Sequence, residues 1–297
     1  FRGHGRSSGK KGHVDSFMDF VYDLKLFIDL IKQKNEKVPA ILFGHSMGGV
    51  VSTKYALTFP DDIQSLILSS PGFLPTVEPP QWKKKLAHIF TKTYSRLTLS
   101  SGLPASGLSH DSDVVEAYEN DNLVHDRISA KLYSEFMKNC EECLNRSSEL
   151  HMPLLVFHGT GDPIADYNGS ERFYENISSK FKDIFLFEGL YHETINEILE
   201  ERGKVLKIIT DWVEKITGKK QAAPKKTETA VSTNETEAKP VVKAASKTTK
   251  KSAKKTTKKS TKKVTKKAAK KAAKKTAKKV AKKTTKKTTK KTSKKKK

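Results

Sequence analysis

The residues with the clearest chemical potential surround Ser46, in the segment Gly44-His-Ser-Met-Gly-Gly. An apolar run over 40–43 precedes this segment, and residues 50–57 can continue it as a helix. A strand, a sharp Gly-x-Ser-x-Gly turn and a helix together present a serine as a nucleophile. We expect Gly44 and Gly48 to be glycines because a Cβ would clash where the strand and the helix approach each other. The alternative is a glycine-rich turn whose serine has no chemical role.

A nucleophilic serine needs a base to take its proton, and the base needs a carboxylate to hold its tautomer. Ser46, Asp162 and His192 each follow a predicted strand. Because the carboxyl ends of parallel strands meet at one edge of a sheet, the three side chains are expected to gather there. Their order along the chain, Ser, Asp, His, is that of the α/β-hydrolase architecture.

Other residues compete for the roles of acid and base. The rival carboxylates are Asp166 and Glu188, and the rival imidazoles are His158 and His45. Asp162 is favoured because it directly follows a strand and Pro163 stiffens its turn. His158 also suits a buried, hydrogen-bonded histidine, and the side chain of His45 should point away from that of Ser46. The structural alternatives remain open: Asp162 as a helix cap, and His192 as a surface loop residue.

An oxyanion formed at Ser46 would need hydrogen-bond donors. The backbone N–H of Met47, at the start of the helix, is one expected donor. The second donor normally comes from a loop after an earlier strand. We find no such loop in this sequence.

The elements that carry these residues alternate between strand and helix. The predicted strands cover 40–43, 65–70, 153–159 and 184–187, and the predicted helices cover 16–33, 50–59, 169–180 and 195–216. This alternation predicts an α/β fold with a mostly parallel sheet and helices on both faces. Residues 73–150 interrupt it and are predicted to form a helical cap, with helices at 82–97, 113–118 and 128–144.

Several motifs together resemble one family. They begin at Arg2 (Arg-Gly-His-Gly-Arg-Ser-Ser-Gly), Gly12 (Gly-His-Val), Gly44, Gly107 (Gly-Leu-Ser-His-Asp), Tyr118 (Tyr-Glu-Asn-Asp-Asn-Leu-Val-His), His158 (His-Gly-Thr-Gly-Asp) and Tyr191 (Tyr-His-Glu-Thr-Ile-Asn-Glu). The set is similar to the monoacylglycerol lipase and lysophospholipase-like serine hydrolases of the α/β-hydrolase fold. The likeness covers residues 1 to about 216. It departs at Asp121-Asn-Leu-Val, where the family more often has Asp-Pro-Leu-Val.

The resemblance implies Ser46 as nucleophile, Asp162 as orienting acid and His192 as base. It implies hydrolysis of an ester of one acyl chain on glycerol or a related alcohol, through an acyl-enzyme. A general carboxylesterase or thioesterase is an alternative, whereas an epoxide hydrolase would have Asp in place of Ser46. No cofactor or metal is implied.

The family has further strands and a His-Gly oxyanion loop ahead of the Arg-Gly-His-Gly segment. We therefore expect this chain to be N-terminally incomplete, with its first strands missing. The strand before Ser46 would then lie at an exposed edge of the sheet, which promotes aggregation. We expect the 297-residue chain to be poorly soluble or inactive.

Charge divides the chain into two regions. Residues 1–217 hold 25 Lys and Arg against 30 Asp and Glu, whereas residues 218–297 hold 33 Lys against 3 Glu. We therefore predict a hydrolase domain over 1–217 and a disordered lysine-rich tail over 218–297. The tail resembles those of linker histones and bacterial histone-like proteins. Lysine binds phosphate without reading sequence, so the expected partners are nucleic acid first and anionic membrane surfaces second. The alternative is a tail that only keeps the protein in solution.

The sequence gives little support to other classes of protein, such as zinc-binding or membrane-spanning proteins. Cys140 and Cys143 form a lone Cys-x-x-Cys in a charged helical stretch, which predicts reduced helix cysteines and no zinc site. No apolar run reaches the roughly 18 residues that a membrane-spanning helix needs. We expect a cytoplasmic protein, with the nucleoid or a membrane surface as possible sites of association. The rival from another class is a nucleic-acid-associated protein whose hydrolase domain is inactive.

Overall fold

Parallel strands form the centre of the molecule. The computed structural model describes residues 1–35, 38–77, 90–91 and 93–218. Within these residues the strands are β1 (Ile41–His45), β2 (Ser65–Ser69), β3 (Thr98–Ser100), β4 (Arg127–Ser129), β5 (Leu154–Gly159) and β6 (Lys182–Phe187). Strands β1, β2, β5 and β6 lie side by side in that order, all parallel, and β3 pairs antiparallel with β4. The predicted α/β sheet is therefore present.

Helices connect these strands. Within the described residues, we label the helices α1 (Met18–Lys34), α2 (Met47–Thr58), α3 (Ser112–Asn120), α4 (Ala130–Asn145), α5 (Tyr167–Asn176) and α6 (Leu199–Thr217). Helix α6 begins later than its predicted start at 195, because residues 194–196 form a separate 3-10 turn. It ends at Thr217 and is followed by Gly218, which adopts the left-handed conformation with φ of 65°. Residues 219–297, including the predicted lysine-rich tail, lie outside the described residues.

The hydrophobic core lies on both faces of the sheet. Neighbouring residues of β2 point to opposite faces: Leu66 and Leu68 join a cluster with α1, α2, α4 and α5, while Ile67 joins a second cluster with α6. The residues of β5 divide between the two clusters in the same way. The two inner strands β2 and β5 are buried along their whole length, whereas β1 and β6 are partly exposed.

The cap contains more than the predicted helices. Helices α3 and α4 lie in it, but the predicted helix over 128–144 loses its first two residues to β4, which pairs with β3. Strands of three residues are too short for an alternating pattern to reveal them. The predicted helix over 82–97 falls mostly on residues outside the described part of the chain.

Strand β1 lies at one edge of the sheet formed by the described residues, as predicted for the strand before Ser46. A groove of about 990 Å³ runs along this edge, between β1, α1 and the loop of residues 1–9. Its apolar lining includes Leu26, Phe27 and Phe43, which are all exposed. We call it the α1–β1 groove. The three- and four-residue spacing of apolar residues along α1 includes Phe27, but Phe27 is 59% exposed, so this apolar stripe is wider than the surface that the core covers.

Candidate active site

Ser46 sits at the turn between β1 and α2 in a strained backbone conformation. Its φ of 52° and ψ of −124° lie in a region that residues other than glycine rarely adopt. A Cβ on Gly44 would come within 2.5 Å of Ser52 Oγ and 2.7 Å of the Gly48 carbonyl oxygen, so the strand and helix do meet there. The second close approach occurs at Gly49, against Pro71, and not at Gly48 as predicted, because a Cβ on Gly48 would face open space.

The structure brings Ser46, His192 and Asp162 into one hydrogen-bonded chain. His192 Nε2 lies 2.8 Å from Ser46 Oγ, and His192 Nδ1 lies 2.6 Å from Asp162 Oδ2. An ionised carboxylate only accepts hydrogen bonds, so Nδ1 carries the ring proton. Nε2 is then left with a lone pair that faces the serine hydroxyl. The imidazole is therefore held in the tautomer that can accept the proton of Ser46.

Both oxygens of Asp162 are fully occupied. Oδ1 accepts the backbone N–H groups of Ile164 and Ala165, at 2.7 and 3.0 Å. Oδ2 accepts from His192 and also from His158 Nε2, at 3.0 Å. Burial alone would raise the pKa of Asp162, but the hydrogen bonds from His158 and His192 hold it well below its usual range. The carboxylate therefore stays ionised at neutral pH.

His158 is completely buried beneath the acid. Its Nε2 faces two acceptors, Asp162 Oδ2 and the Ala165 carbonyl oxygen at 3.1 Å, so Nε2 must carry a proton. Its Nδ1 lies 2.7 Å from Ser170 Oγ. The sequence suggested a buried, hydrogen-bonded histidine at this position but did not predict its contact with Asp162. The spacing of four residues, across a strand end and a tight loop, was the signal that could have found it.

Glycines allow the loops that carry Asp162 and His192 to pack against each other. A Cβ on Gly159 would lie 2.1 Å from the carbonyl oxygen of Leu190, and one on Gly161 would lie 2.5 Å from that of Gly189. The Gly161 N–H donates to the Leu190 carbonyl at 3.0 Å. This contact fixes the separation between the loop after β5 and the loop after β6.

His45 lies beside the imidazole of His192, with ring centroids 4.8 Å apart. Its Nδ1 contacts the carbonyl and hydroxyl oxygens of Ser69, both at 3.1 Å. Burial, together with the nearby His192, lowers the pKa of His45 to about 3. His45 is therefore neutral over the ordinary pH range.

The rival carboxylates have other contacts. Asp166 caps α5 by accepting the N–H of Asn168 at 3.0 Å. Glu188 is exposed and lies 3.3 Å from the hydroxyl of Thr160. Both lie near the loop of Asp162, but the described contacts of His192 Nδ1 are with Asp162.

Met47 is the first residue of α2, so its N–H has no acceptor within that helix. The Ser46 N–H, by contrast, donates to the Ser69 carbonyl at 3.1 Å. The Gly72 N–H donates to the Ser46 carbonyl, also at 3.1 Å, and so holds the turn from the other side. The N–H of Met47 is thus placed beside the serine and unused by its helix.

Among residues 1–218, apart from the undescribed positions, no group of three or more His, Cys, Asp and Glu side chains is arranged to hold a metal ion. Cys140 and Cys143 are buried residues of α4 that form no disulfide, and burial raises the pKa of Cys143 to about 12. No helix in the described part of the chain has the length and apolar character needed to cross a membrane.

The chain resembles proteins of known family. Residues 1–198 match the model of the family described as serine aminopeptidase, S33. A monoacylglycerol lipase of Mycolicibacterium smegmatis is 30% identical over 219 residues, which cover 71% of this chain and 75% of that protein. An abhydrolase domain-containing protein of Dictyostelium discoideum is 30% identical over 226 residues, 75% of this chain but only 24% of that longer protein.

The fold resemblance agrees with the sequence resemblance. The crystal structure of the Paleococcus ferrophilus monoacylglycerol lipase aligns with a TM-score of 0.66 and 33% identity, covering 72% of this chain and 81% of that one. The parallel sheet, the cap after β2 and the strand-end loops thus belong to a known architecture. The chain is a member of the serine aminopeptidase S33 family of α/β hydrolases and is similar to its monoacylglycerol lipase-like relatives.

Proposed function

We propose that the protein is a serine ester hydrolase that acts on a monoacyl lipid, either a monoacylglycerol or a lysophospholipid. The observation that carries this proposal is the continuous hydrogen-bonded chain from Ser46 Oγ through His192 to Asp162. Each residue lies within the distance that proton transfer requires. The ionised, saturated carboxylate of Asp162 supports the imidazolium that would form on His192.

The reaction proceeds in two halves. Ser46 Oγ attacks the carbonyl carbon of the ester while its proton passes to His192 Nε2. The tetrahedral intermediate then collapses, and the same proton passes to the oxygen of the departing alcohol. A water molecule attacks the acyl-serine, again giving its proton to Nε2, and the fatty acid leaves as Ser46 recovers its proton.

The developing oxyanion needs a donor close to Ser46. We assign this role to the N–H of Met47, because it opens α2 and has no acceptor within that helix. The helix N-terminus adds a favourable dipole at the same place. Removing a single oxyanion donor typically costs about 10²- to 10³-fold in kcat.

The monoacyl substrate is proposed from two of the relatives described above, which are monoacylglycerol lipases. The family description also names an aminopeptidase, so amide substrates are the main competitor. The same acyl-enzyme chemistry serves both, but an amine leaves only after protonation. A matched panel of a monoacylglycerol, a lysophosphatidylcholine, a short aryl ester and an aminoacyl anilide separates the alternatives.

Any turnover by the chain should be fastest, by kcat/KM, for the monoacylglycerol or the lysophospholipid, and slower for the other two compounds. Ser46→Ala should abolish turnover, while Ser52→Ala, which removes a hydroxyl from the adjacent helix, should retain it. Preference for the anilide would replace the proposal with a peptidase. Preference for the short aryl ester would indicate a general carboxylesterase. A folded protein that turns over none of the four would indicate an inactive hydrolase domain.

The lysine-rich tail supports a second role for the protein. Its 33 lysines against 3 glutamates favour binding to polyanions by release of counterions. We propose non-specific binding to nucleic acid, with anionic membrane as the alternative partner. The full chain is titrated against DNA and against vesicles with and without phosphatidylserine, at several salt concentrations. Affinity for DNA that falls steeply with salt supports the proposal, and salt-sensitive binding to neither partner contradicts it.

A further inference from the structure

A second buried carboxylate, Glu197, lies just beyond the loop that carries His192. Its residue is 0% exposed, and it stands between the 3-10 turn Thr194–Asn196 and helix α6. Taking a carboxylate out of water is costly unless hydrogen bonds replace the lost hydration. The contacts of Glu197 therefore indicate what it does.

The two oxygens of Glu197 join two distant parts of the chain. Oε1 accepts the backbone N–H of Tyr191 at 2.8 Å and faces His110 Nδ1 at 2.9 Å. Oε2 accepts the backbone N–H of His110 at 3.0 Å. Tyr191 immediately precedes His192, whereas His110 belongs to the cap insertion. One carboxylate thus holds the His192 loop and the cap together.

Further contacts follow the same line. The N–H of His192 donates to the Gly107 carbonyl at 3.3 Å, and the N–H of Glu193 donates to the Leu108 carbonyl at 2.8 Å. The ring of His110 stacks on that of Tyr191, with centroids 3.7 Å apart. The backbone N–H groups of His192 and Glu193 are therefore paired with the cap segment 107–110, and the ring of Tyr191 stacks on the same segment.

The charge of Glu197 suits this position. Burial would raise its pKa, but the N–H of Tyr191 and the side chain and N–H of His110 keep it below the usual value. The ionised form accepts hydrogen bonds at both of its oxygens, whereas a neutral amide in the same place has one acceptor oxygen and a donor NH₂ group. In a glutamine variant, at least one of the N–H groups that now meet Glu197 would therefore face another donor.

We propose that Glu197 is a positioning residue that fastens the His192 loop to the cap segment 107–110 and so holds the imidazole at hydrogen-bonding distance from Ser46. The proposal rests on the function proposed above for the role of His192. Glu197 touches neither Ser46 nor His192 through its side chain in the described contacts. It acts through the backbone of Tyr191 and through His110.

The test compares Glu197→Gln with Glu200→Gln, which neutralises an exposed glutamate three residues further along on α6. His110→Phe is a third variant, because it keeps a ring to stack on Tyr191 but loses Nδ1. His110 is partly exposed, so this variant should fold even if Glu197→Gln does not. Two kinds of measurement are made: steady-state kinetics, which gives kcat and KM for the ester, and amide hydrogen exchange, which gives the exchange rates at Tyr191 and Glu193.

For Glu197→Gln we expect kcat to fall about 10- to 100-fold with KM changed less than about twofold, since a small displacement of a catalytic group has effects of this size. Amide exchange at Tyr191 and Glu193 should accelerate about tenfold or more, with the strands of the sheet unaffected. His110→Phe should show the same changes at smaller amplitude, and Glu200→Gln should match the wild type.

Unchanged exchange in Glu197→Gln and His110→Phe would overturn the proposal, and so would faster exchange with an unchanged kcat. If the wild type does not hydrolyse the ester, the proposed function fails. The exchange rates then still decide whether Glu197 holds the loop.

Discussion

The carboxyl end of strand β1 and its open edge have very different surroundings. At its carboxyl end, Ser46 enters a chain of hydrogen bonds in which both oxygens of Asp162 are saturated. Along its open edge, the α1–β1 groove presents exposed apolar side chains such as Phe27 and Phe43. One strand of five residues therefore borders both a fully hydrogen-bonded polar cluster and an open apolar surface.

This difference shows which neighbours position the candidate site. The side chains linked to Ser46 Oγ, those of His192 and Asp162, come from the loops after β6 and β5, and those loops are fixed to each other and to the cap. None of the hydrogen bonds that link Ser46, His192 and Asp162 comes from α1 or from the residues that line the groove. We therefore expect substitutions around Ser46 to change turnover and substitutions in the α1–β1 groove to change self-association, with the two effects separable.

His45 is the residue that belongs to both regions. It lines the α1–β1 groove, and its ring also packs against that of His192. A neutral ring at this position adds no positive charge beside the His192 imidazole, which would become protonated in the proposed reaction. A substitution of His45 is therefore expected to affect both the candidate site and the groove.

The largest expected effect is that of Asp162→Asn. An amide at this position would not hold the Nδ1 proton of His192, so we expect kcat to fall about 10⁴-fold. Asp166→Asn is the matched control, because asparagine caps a helix as well as aspartate does, and its activity should stay near that of the wild type. Steady-state turnover of a monoacyl ester measures both. Equal losses in the two variants would mean that the acid has been misassigned.

An intermediate effect is expected from His45 as pH falls. Its pKa is about 3 in the folded state against an ordinary value of 6.5, so only the unfolded state takes up a proton between these values. The stabilising effect is complete above about pH 6.5 and declines as pH falls toward 3. The ring is partly exposed, so we expect a loss of about 1 to 2 kcal/mol between pH 7 and pH 5.

Urea unfolding of the wild type and of His45→Gln at these two pH values measures this contribution. The variant should lose less stability than the wild type on acidification. Equal losses in the two proteins would show that His45 is not held neutral in the folded state.

The smallest effect on stability is expected in the groove. Phe27→Lys places a charge on an exposed apolar surface, so the free energy of unfolding should change by no more than about 0.5 kcal/mol. Self-association, measured by light scattering, should fall, because the apolar lining beside an open strand edge favours contact between chains. Tyr22→Lys adds the same charge on α1 at an exposed position outside the groove lining, and it should leave association unchanged. If both variants reduce association equally, net charge and not the groove is responsible.

Local patterns in the sequence were sufficient to predict the four strands of the parallel sheet, the helices between them, and the strand ends where Ser46, Asp162 and His192 lie. Buried strands appear as short apolar runs, and the sharp turn at Ser46 requires glycine at Gly44. These signals lie within short stretches of sequence, so they can be recognised without knowledge of the tertiary contacts. The catalytic roles of the three residues remain predictions.

The features that were missed depend on residues far apart in the chain. Glu197 meets His110 across 87 positions, and no local pattern reveals such a contact. The expected close approach at Gly48 was wrong for a related reason: which glycine faces a neighbour depends on where Pro71 lies, on another strand-end turn. Boundaries at 128 and 195 moved because β4 and a 3-10 turn replaced the ends of predicted helices.

The central claim, that Ser46 is a nucleophile activated by His192, is tested most directly by covalent labelling of the full chain. The protein is incubated with a fluorophosphonate, and its modified peptide is identified by mass spectrometry. We expect one adduct on Ser46, with labelling that is lost in Ser46→Ala and slowed at least about 100-fold in His192→Gln. Folded wild-type protein that stays unlabelled, or labelling elsewhere that persists in Ser46→Ala, would contradict the account.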